Sequence, residues 1–166
     1  TYPLPEAQID RFMLKVHVDY PSKEEEMEVM RRMSNLSFDA SVDTIITKED
    51  IFKIREEVNE VQVSESIEKY IIELVYATRN PQEYGLEDMA HYIRFGASPR
   101  ATINMNLAAK VIAFFNGRDY VLPEDIKEIA TDVMNHRIIL NYEAEADGVK
   151  TQDIIEAILH KVPISK

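Results

Sequence analysis

Apolar residues recur at intervals of three and four along most of the chain after residue 21, which predicts amphipathic helices. The segments that show this spacing open with residues typical of a helix start. The predicted helices begin at or near Ser22, Thr47, Ser64, Ser98, Pro123 and Thr151. The pattern predicts about six helices packed on one another over residues 21–166, and the faces expected in the core include Met27, Met30 and Met33 in the first helix and Ile67, Ile71, Leu74 and Val75 in the third.

The pattern differs before residue 21. "PLPEAQIDRF" predicts a short helix, and "FMLKVHVDY" alternates apolar and polar residues, which predicts a strand over 12–19 ended by Pro21. Since one strand cannot form a sheet, it is expected either to pair with segments too weakly patterned to recognise or to be the last strand of a sheet outside this chain. The first residue, Thr1, favours the second expectation.

The stretch "QEYGLEDMAHYIRFGA" has no clear period. It predicts a turn at Gly85, then a short helix, then an extended piece from Ile93 to Phe95.

Composition narrows the classes of function. The 166 residues include no cysteine, which excludes disulfides and zinc–sulfur sites, and 19 basic against 30 acidic residues give a net charge of −11, which disfavours nucleic acid. No apolar run reaches the ~18 residues of a membrane span. The four histidines lie far apart in the sequence, so no metal site is predicted, and no stretch matches GxxxxGK[ST] or a dinucleotide fingerprint. A cytoplasmic, helix-rich domain without a membrane segment is the expectation.

The stretch "FGASPRAT" raises a question of charge. Ser98 suits an N-cap and Pro99 the first helical position, so Arg100 falls at about the second position of the helix. A cation at this positive end costs roughly 0.3–1 kcal/mol when exposed. Either Arg100 pairs with a nearby carboxylate, or the guanidinium and the helix start together bind an external anion such as a phosphate. The second interpretation predicts a phosphate sensor.

Three stretches carry a family resemblance: "TYPLPEAQIDRFMLKVHVDYPS", "GASPRA" and "YVLPEDIKEIATDVMNHRI". They resemble the MoxR family of AAA+ ATPases over nearly the whole chain. The resemblance implies that residues 1–20 are the end of the ATPase core, with the arginine-finger segment and the last strand. Residues 21–166 would be a helical region that includes the C-terminal lid, with the sensor-2 motif at 96–101. Walker A, Walker B and sensor 1 would lie upstream, so the chain alone is expected to be inactive.

The resemblance also implies roles for particular residues. Arg100 matches the sensor-2 arginine, which contacts the γ-phosphate of ATP, with Ser98 and Pro99 on the phosphate side. Arg11 matches the arginine finger that related ring ATPases offer to the neighbouring subunit. Its alternative is a salt bridge to Asp10 or Glu6. ATP and Mg²⁺ are implied for the intact parent, and none bound by this chain alone.

The function implied is a homo-oligomeric ring, expected to be a hexamer, that uses ATP hydrolysis to remodel or assemble partners, among them proteins with a von Willebrand A domain. The alternative is a self-standing acidic helical module that docks a basic partner. It predicts no ordered strand at 12–19 and an Arg100 neutralised by an internal carboxylate. A DNA-binding bundle is a third possibility, disfavoured by the negative charge.

Overall fold

The chain is mainly helical, as the sequence predicts. The computed structural model describes residues 4–35 and 41–164. The helices are α1 Glu6–Ile9, α2 Lys23–Met33, α3 Lys48–Glu60, α4 Glu65–Ala77, α5 Glu87–Ala90, α6 Pro99–Phe115, α7 Pro123–Met134, α8 Tyr142–Ala146 and α9 Thr151–Lys161, with a 3₁₀ turn at Pro81–Tyr84 and two strands, β1 Ile93–Phe95 and β2 Ile139–Leu140. Among the described residues, no helix has the length and apolar character needed to cross a membrane.

The helix starts follow local capping. The Ser22 hydroxyl accepts the Glu25 N–H at 3.3 Å, while Glu25 Oε2 accepts the Ser22 N–H at 2.8 Å. Thr47 forms the same reciprocal box with Asp50 at the start of α3. Each box satisfies backbone donors that the first helical turn leaves free. The six predicted helices are therefore confirmed, and each begins within a residue of its predicted start.

The core lies among α4, α6, α7 and α9. From α4 it receives Tyr70 and Leu74, both fully buried. Helix α6 presents four buried alanines, whose small side chains let neighbouring helices approach closely. The buried residues of these four helices are Ile67, Tyr70, Ile71, Leu74, Val75, Ala77, Ala101, Met105, Ala108, Ala109, Ala113, Asp125, Ile126, Ile129, Ala130, Val133, Met134, Ile154, Ile155 and Ile158. The predicted burial of the α4 face is confirmed.

The methionine face of α2 corrects the sequence prediction. Met27, Met30 and Met33 were expected in the core, but they are 47%, 59% and 68% exposed, and α2 buries no residue. The spacing of the apolar residues correctly indicates one face of a helix. It carries no information on whether another element covers that face.

The predicted strand at 12–19 is also wrong for the described residues. This segment has no regular secondary structure. Lys15 donates its N–H to the carbonyl of Asp132 at 2.9 Å, at the end of a helix rather than to a neighbouring strand. An alternating segment forms a strand only where a neighbouring strand pairs with it, and no described strand pairs with 12–19.

The strands form elsewhere. β1 and β2 make one short antiparallel pair, with Ile93 opposite Leu140 and Phe95 opposite Ile139. The extended piece predicted from Ile93 to Phe95 is therefore confirmed, as are the turn at Gly85 (φ 68°) and the short helix after it. The partner strand has only two residues, too few for alternation to reveal.

Candidate functional site

The start of α6 has the geometry predicted for it. Ser98 is the N-cap, and its hydroxyl accepts the N–H of Arg100 at 3.2 Å. Pro99 occupies the first helical position, so Arg100 is second. The Arg100 side chain is 56% exposed. A cation therefore stands at the positive end of a 17-residue helix with its guanidinium accessible to solvent.

The loop before α6 is fastened to the end of α4. A Cβ on Gly96 would lie 2.5 Å from the Thr78 carbonyl oxygen, so only glycine permits this approach. The Thr78 hydroxyl donates to the Val75 carbonyl at 2.7 Å and accepts the Ala97 N–H at 2.9 Å. Arg79 Nε donates to the Ala97 carbonyl at 2.7 Å. These contacts hold the position from which α6 begins.

Asp10 joins this helix start to the amino-terminal segment. Its Oδ1 accepts the Ser98 hydroxyl at 2.8 Å and Arg137 Nε at 3.2 Å, and its Oδ2 accepts Arg100 Nη1 at 2.9 Å. Partial burial acts to raise the pKa of Asp10. The hydrogen bonds from Ser98 and Arg100 and the charge of Arg137 outweigh it and hold the pKa below its ordinary value. Asp10 is therefore an anion shared by two arginines.

Arg137 is the buried member of this cluster, with a side chain that has no exposed surface. Its guanidinium donates to the carbonyls of Asp10 at 3.0 Å and Met13 at 3.2 Å, and also to those of Phe12 and Val133. Burial lowers the pKa of Arg137, and Asp10 opposes that shift. Sequence reasoning missed Arg137 and considered Asp10 only as a partner of Arg11. The available signal was an arginine placed directly before the apolar run that begins at Ile138.

His136 supports the same segment. Its Nε2 lies 3.0 Å from the Phe12 carbonyl, while Nδ1 is buried without a hydrogen-bond partner among the described residues. Burial lowers the pKa of His136, and the charges of Arg137 and Lys15 lower it further, against the opposing hydrogen bond to Phe12 and the charge of Asp10. The neutral ring is therefore favoured.

Arg11 lies outside this network. It is exposed, and its side chain has no ion pair or hydrogen bond with any residue in 4–35 or 41–164. The salt bridge to Asp10 or Glu6 considered from the sequence does not form, because Asp10 is turned to Ser98, Arg100 and Arg137 instead. The structure does not bring Arg11 and Arg100 into contact. It joins them through Asp10, the residue next to Arg11 in the chain.

The arrangement decides which groups at α6 could meet a phosphate. Pro99 has no N–H, the Arg100 N–H is bonded to Ser98, and the Ala101 N–H is bonded to the Ser98 carbonyl. The Ser98 hydroxyl is directed to Asp10. The Arg100 guanidinium is the group with free donors, because within the described residues its one side-chain bond is that from Nη1 to Asp10. The phosphate-side roles of Ser98 and Pro99 stay predictions.

Two observations match the interaction-module alternative. No strand forms at 12–19 in the described residues, and Arg100 is paired with an internal carboxylate. The pair is not buried, however, since more than half of the Arg100 side chain faces solvent. An ion pair with one solvent-exposed partner contributes only ~0–1 kcal/mol.

The class of protein follows from a family comparison. Residues 87–158, from α5 to most of α9, match the model of the AAA lid domain. This range contains Ser98, Arg100 and Arg137. The helices that form the core and carry the exposed arginine are thus largely those of an AAA lid.

Comparisons with individual proteins cover the whole chain. It is 39% identical to Chaperone MoxR1 of Mycobacterium tuberculosis, over 98% of this chain and 43% of that protein, and 30% identical to Protein MoxR of Paracoccus denitrificans, over 99% and 52%. The crystal structure of a proposed ATPase from Cytophaga hutchinsonii is 65% identical, with a TM-score of 0.94 over 99% of this chain and 50% of that one. The chain spans about half the length of these relatives. The resemblance to the MoxR family of AAA+ ATPases is confirmed, and residues 87–158 match an AAA lid.

Proposed function

We propose that the parent protein binds and hydrolyses ATP, and that this chain supplies the arginine that senses the γ-phosphate. The observation that carries the proposal is the exposed Arg100 at the start of α6, inside the AAA lid. A planar guanidinium offers paired donors that suit phosphate oxygens. The loop from Gly96 to Ser98 is held to α4, so the cation is supported by a fixed helix start rather than by a mobile loop.

In this proposal, Asp10 holds Arg100 when no phosphate is present. A γ-phosphate with its Mg²⁺ would compete with one carboxylate oxygen for the guanidinium, and Arg137 would keep the carboxylate paired after the exchange. Arg100 can therefore change partner without leaving Asp10 as an isolated, partly buried charge. The nucleotide state would in this way be linked to the position of the lid.

Arg11 is proposed to act on the ATP of a neighbouring subunit. Its exposed side chain, without a partner in the described residues, is consistent with a group that works across an interface. The parent is proposed to form a cytoplasmic homo-oligomeric ring, a hexamer by resemblance, that remodels or assembles partner proteins, including proteins with a von Willebrand A domain. The chaperone name of the Mycobacterium tuberculosis relative supports the remodelling role. Neither nucleic acid nor a membrane is among the proposed partners.

The test is Arg100→Ala in the intact ATPase, with Arg94→Ala as the matched control. Both positions are exposed arginines in the lid. We expect Arg100→Ala to keep the lid folded by circular dichroism and to lower the turnover of ATP by about 10²-fold, as for loss of one transition-state donor. Arg94→Ala should keep its turnover. An Arg100→Ala protein with an unfolded lid and full turnover would make the arginine structural.

The acidic interaction module is the second candidate, favoured by the Arg100–Asp10 pair and the missing strand at 12–19. It predicts that the intact protein hydrolyses no ATP and that Asp10→Asn alters binding of a basic protein. The ATPase proposal predicts that the intact protein hydrolyses ATP and that Asp10→Asn changes the apparent affinity for ATP, because the variant lacks the competing carboxylate. Steady-state kinetics of the intact protein and of this variant separates the two.

A further inference from the structure

We infer that Arg137 is a positioning residue for Arg11. This inference rests on the proposed function, because it concerns the segment that would present the arginine finger. Arg137 lies just after α7, 126 positions away in the chain. It belongs to one of the stretches that carry the family resemblance, but the resemblance implied a role only for Arg11 and Arg100 and the residues beside Arg100.

The contacts of Arg137 bracket Arg11. Its Nη2 donates to the carbonyls of Asp10 and Phe12, the residues immediately before and after Arg11. Its Nη1 reaches the carbonyl of Met13 at 3.2 Å. The peptide before Arg11 and the peptide after Phe12 are thus both bonded to one planar guanidinium, while the Arg11 side chain remains exposed. The backbone is fixed and the cation is left free to reach outward.

Burial makes this arrangement hard to release. The Arg137 side chain has no exposed surface, so withdrawal of residues 10–13 would leave a buried cation without most of its acceptors. A lysine could not replace it, because its ammonium has a single centre and cannot serve acceptors spread over four carbonyls and a carboxylate. A buried arginine in this position therefore specifies one course for the segment.

Asp10 links the backbone segment held by Arg137 to the start of α6. Its carboxylate binds Arg137 Nε and Arg100 Nη1 through different oxygens. The finger segment and the start of α6 are consequently held by one carboxylate. Accurate placement of a reacting group matters steeply, since a shift of about 1 Å can cost on the order of 10²-fold in rate.

The experiment uses Arg137→Lys in the intact ATPase, with Arg118→Lys as the matched control. Arg118 also makes two bonds to a buried carboxylate, that of Asp125 at 2.7 and 2.5 Å, but it lies between α6 and α7 and its side chain has no hydrogen bond or ion pair with residues 10–13. We expect Arg137→Lys to lower kcat by about 10²-fold with little change in KM for ATP, and Arg118→Lys to keep kcat.

A mixing experiment distinguishes positioning from general damage. Subunits with Arg137→Lys retain Arg100 and still have a cation beside Asp10, so the main defect expected is a misplaced finger. Mixed with Walker-A-defective subunits, which still carry a correct Arg11, they should regain part of the turnover, as should Arg11→Ala subunits. The double variant Arg11→Ala, Arg137→Lys should be no slower than Arg11→Ala alone. Absence of rescue in intact rings, or a multiplied loss in the double variant, would overturn the inference.

A second variant of Arg137 and a measurement of amide exchange test the inference if the first variants give no clear result. If Arg137→Lys does not fold, Arg137→Gln removes the buried charge and takes its place in the same assays. If Arg11→Ala retains full turnover, the proposed finger itself is wrong. Amide exchange at residues 11–15 then tests separately whether Arg137 fixes the backbone of this segment. Faster exchange in Arg137→Lys than in Arg118→Lys supports this role, and equal exchange contradicts it.

Discussion

Helices α2 and α4 have similar sequence signals and opposite surroundings. Each follows a serine N-cap, and each has apolar residues spaced by three and four. Helix α4 buries six residues in the core, whereas α2 buries none and leaves Met33 68% exposed. The difference shows that capping and periodicity decide that a helix forms and which face is apolar. They do not decide whether that face is covered.

The boundary between helices α2 and α3, which bury no residue, and the core that begins with α4 falls near residue 61. Val61 is 3% exposed, and the residue after it enters the core edge through paired backbone bonds: Gln62 donates to Asp119 at 2.8 Å and accepts from Val121 at 3.0 Å. Before that point, α3 has no buried residue, although Lys110 of α6 donates to the carbonyl of Asn59 at 3.0 Å. Apart from the segment 10–13 held by Arg137, the stability of the described residues is therefore concentrated after residue 61.

The largest effect expected from this contrast is in the core. Leu74→Ala removes a fully buried side chain, and the free energy of unfolding should fall by about 2–5 kcal/mol, because transfer and cavity terms add. Met30→Ala, on the exposed α2 face, should change it by less than about 0.5 kcal/mol. Urea denaturation of both variants measures this. A loss of several kcal/mol in Met30→Ala would show that the α2 face is covered in solution.

A smaller effect should come from the caps. Ser64→Ala and Ser22→Ala each remove an N-cap hydroxyl that accepts a backbone N–H. The cost of such a loss is about 1 kcal/mol. It should appear in the global free energy of unfolding for Ser64, because α4 unfolds with the core, and only as local fraying of α2 for Ser22. Amide exchange residue by residue separates the two, and a global loss in Ser22→Ala would contradict the assigned boundary.

The smallest effect concerns pH. The pKa of His136 is lower in the folded chain than its ordinary value near 6.5. As the pH falls below about 6.5, the unfolded chain therefore binds more protons than the folded chain, and the free energy of unfolding decreases. Asp10, with its lowered pKa, adds a second loss in more acid solution. His136→Gln should remove the first component, and His160→Gln, at an exposed position on α9, should not. An unchanged pH profile in His136→Gln would contradict the burial of a neutral ring.

Part of the candidate site could be predicted from the sequence. Ser98, Pro99 and Arg100 lie in one short stretch, and a helix start is a local structure, so their relative positions followed from capping rules alone. Asp10 and Arg137 could not be found in this way. They are 127 positions apart, and no rule of local structure predicts that Asp10, at the end of α1, contacts Arg137, which follows α7.

The two errors have the same origin. The alternation at 12–19 and the methionine spacing of α2 each indicate a face, and a face becomes a strand in a sheet or part of a core only when another element lies against it. In the described residues, 12–19 pairs with no strand and α2 buries nothing.

By itself, the sequence determined the six long helices, their starts and the cation at the start of α6, because each depends on neighbours within a few residues. It also showed that these 166 residues contain neither a cysteine nor a P-loop motif. Only the tertiary structure decided which apolar faces are buried, that Arg100 meets Asp10, and that Arg137 bonds to the carbonyls of Asp10 and Phe12 on either side of Arg11. The contacts of Arg100 and Arg137 with Asp10 join residues 90 and 127 positions apart, and the free energy that selects them comes from packing of the whole bundle.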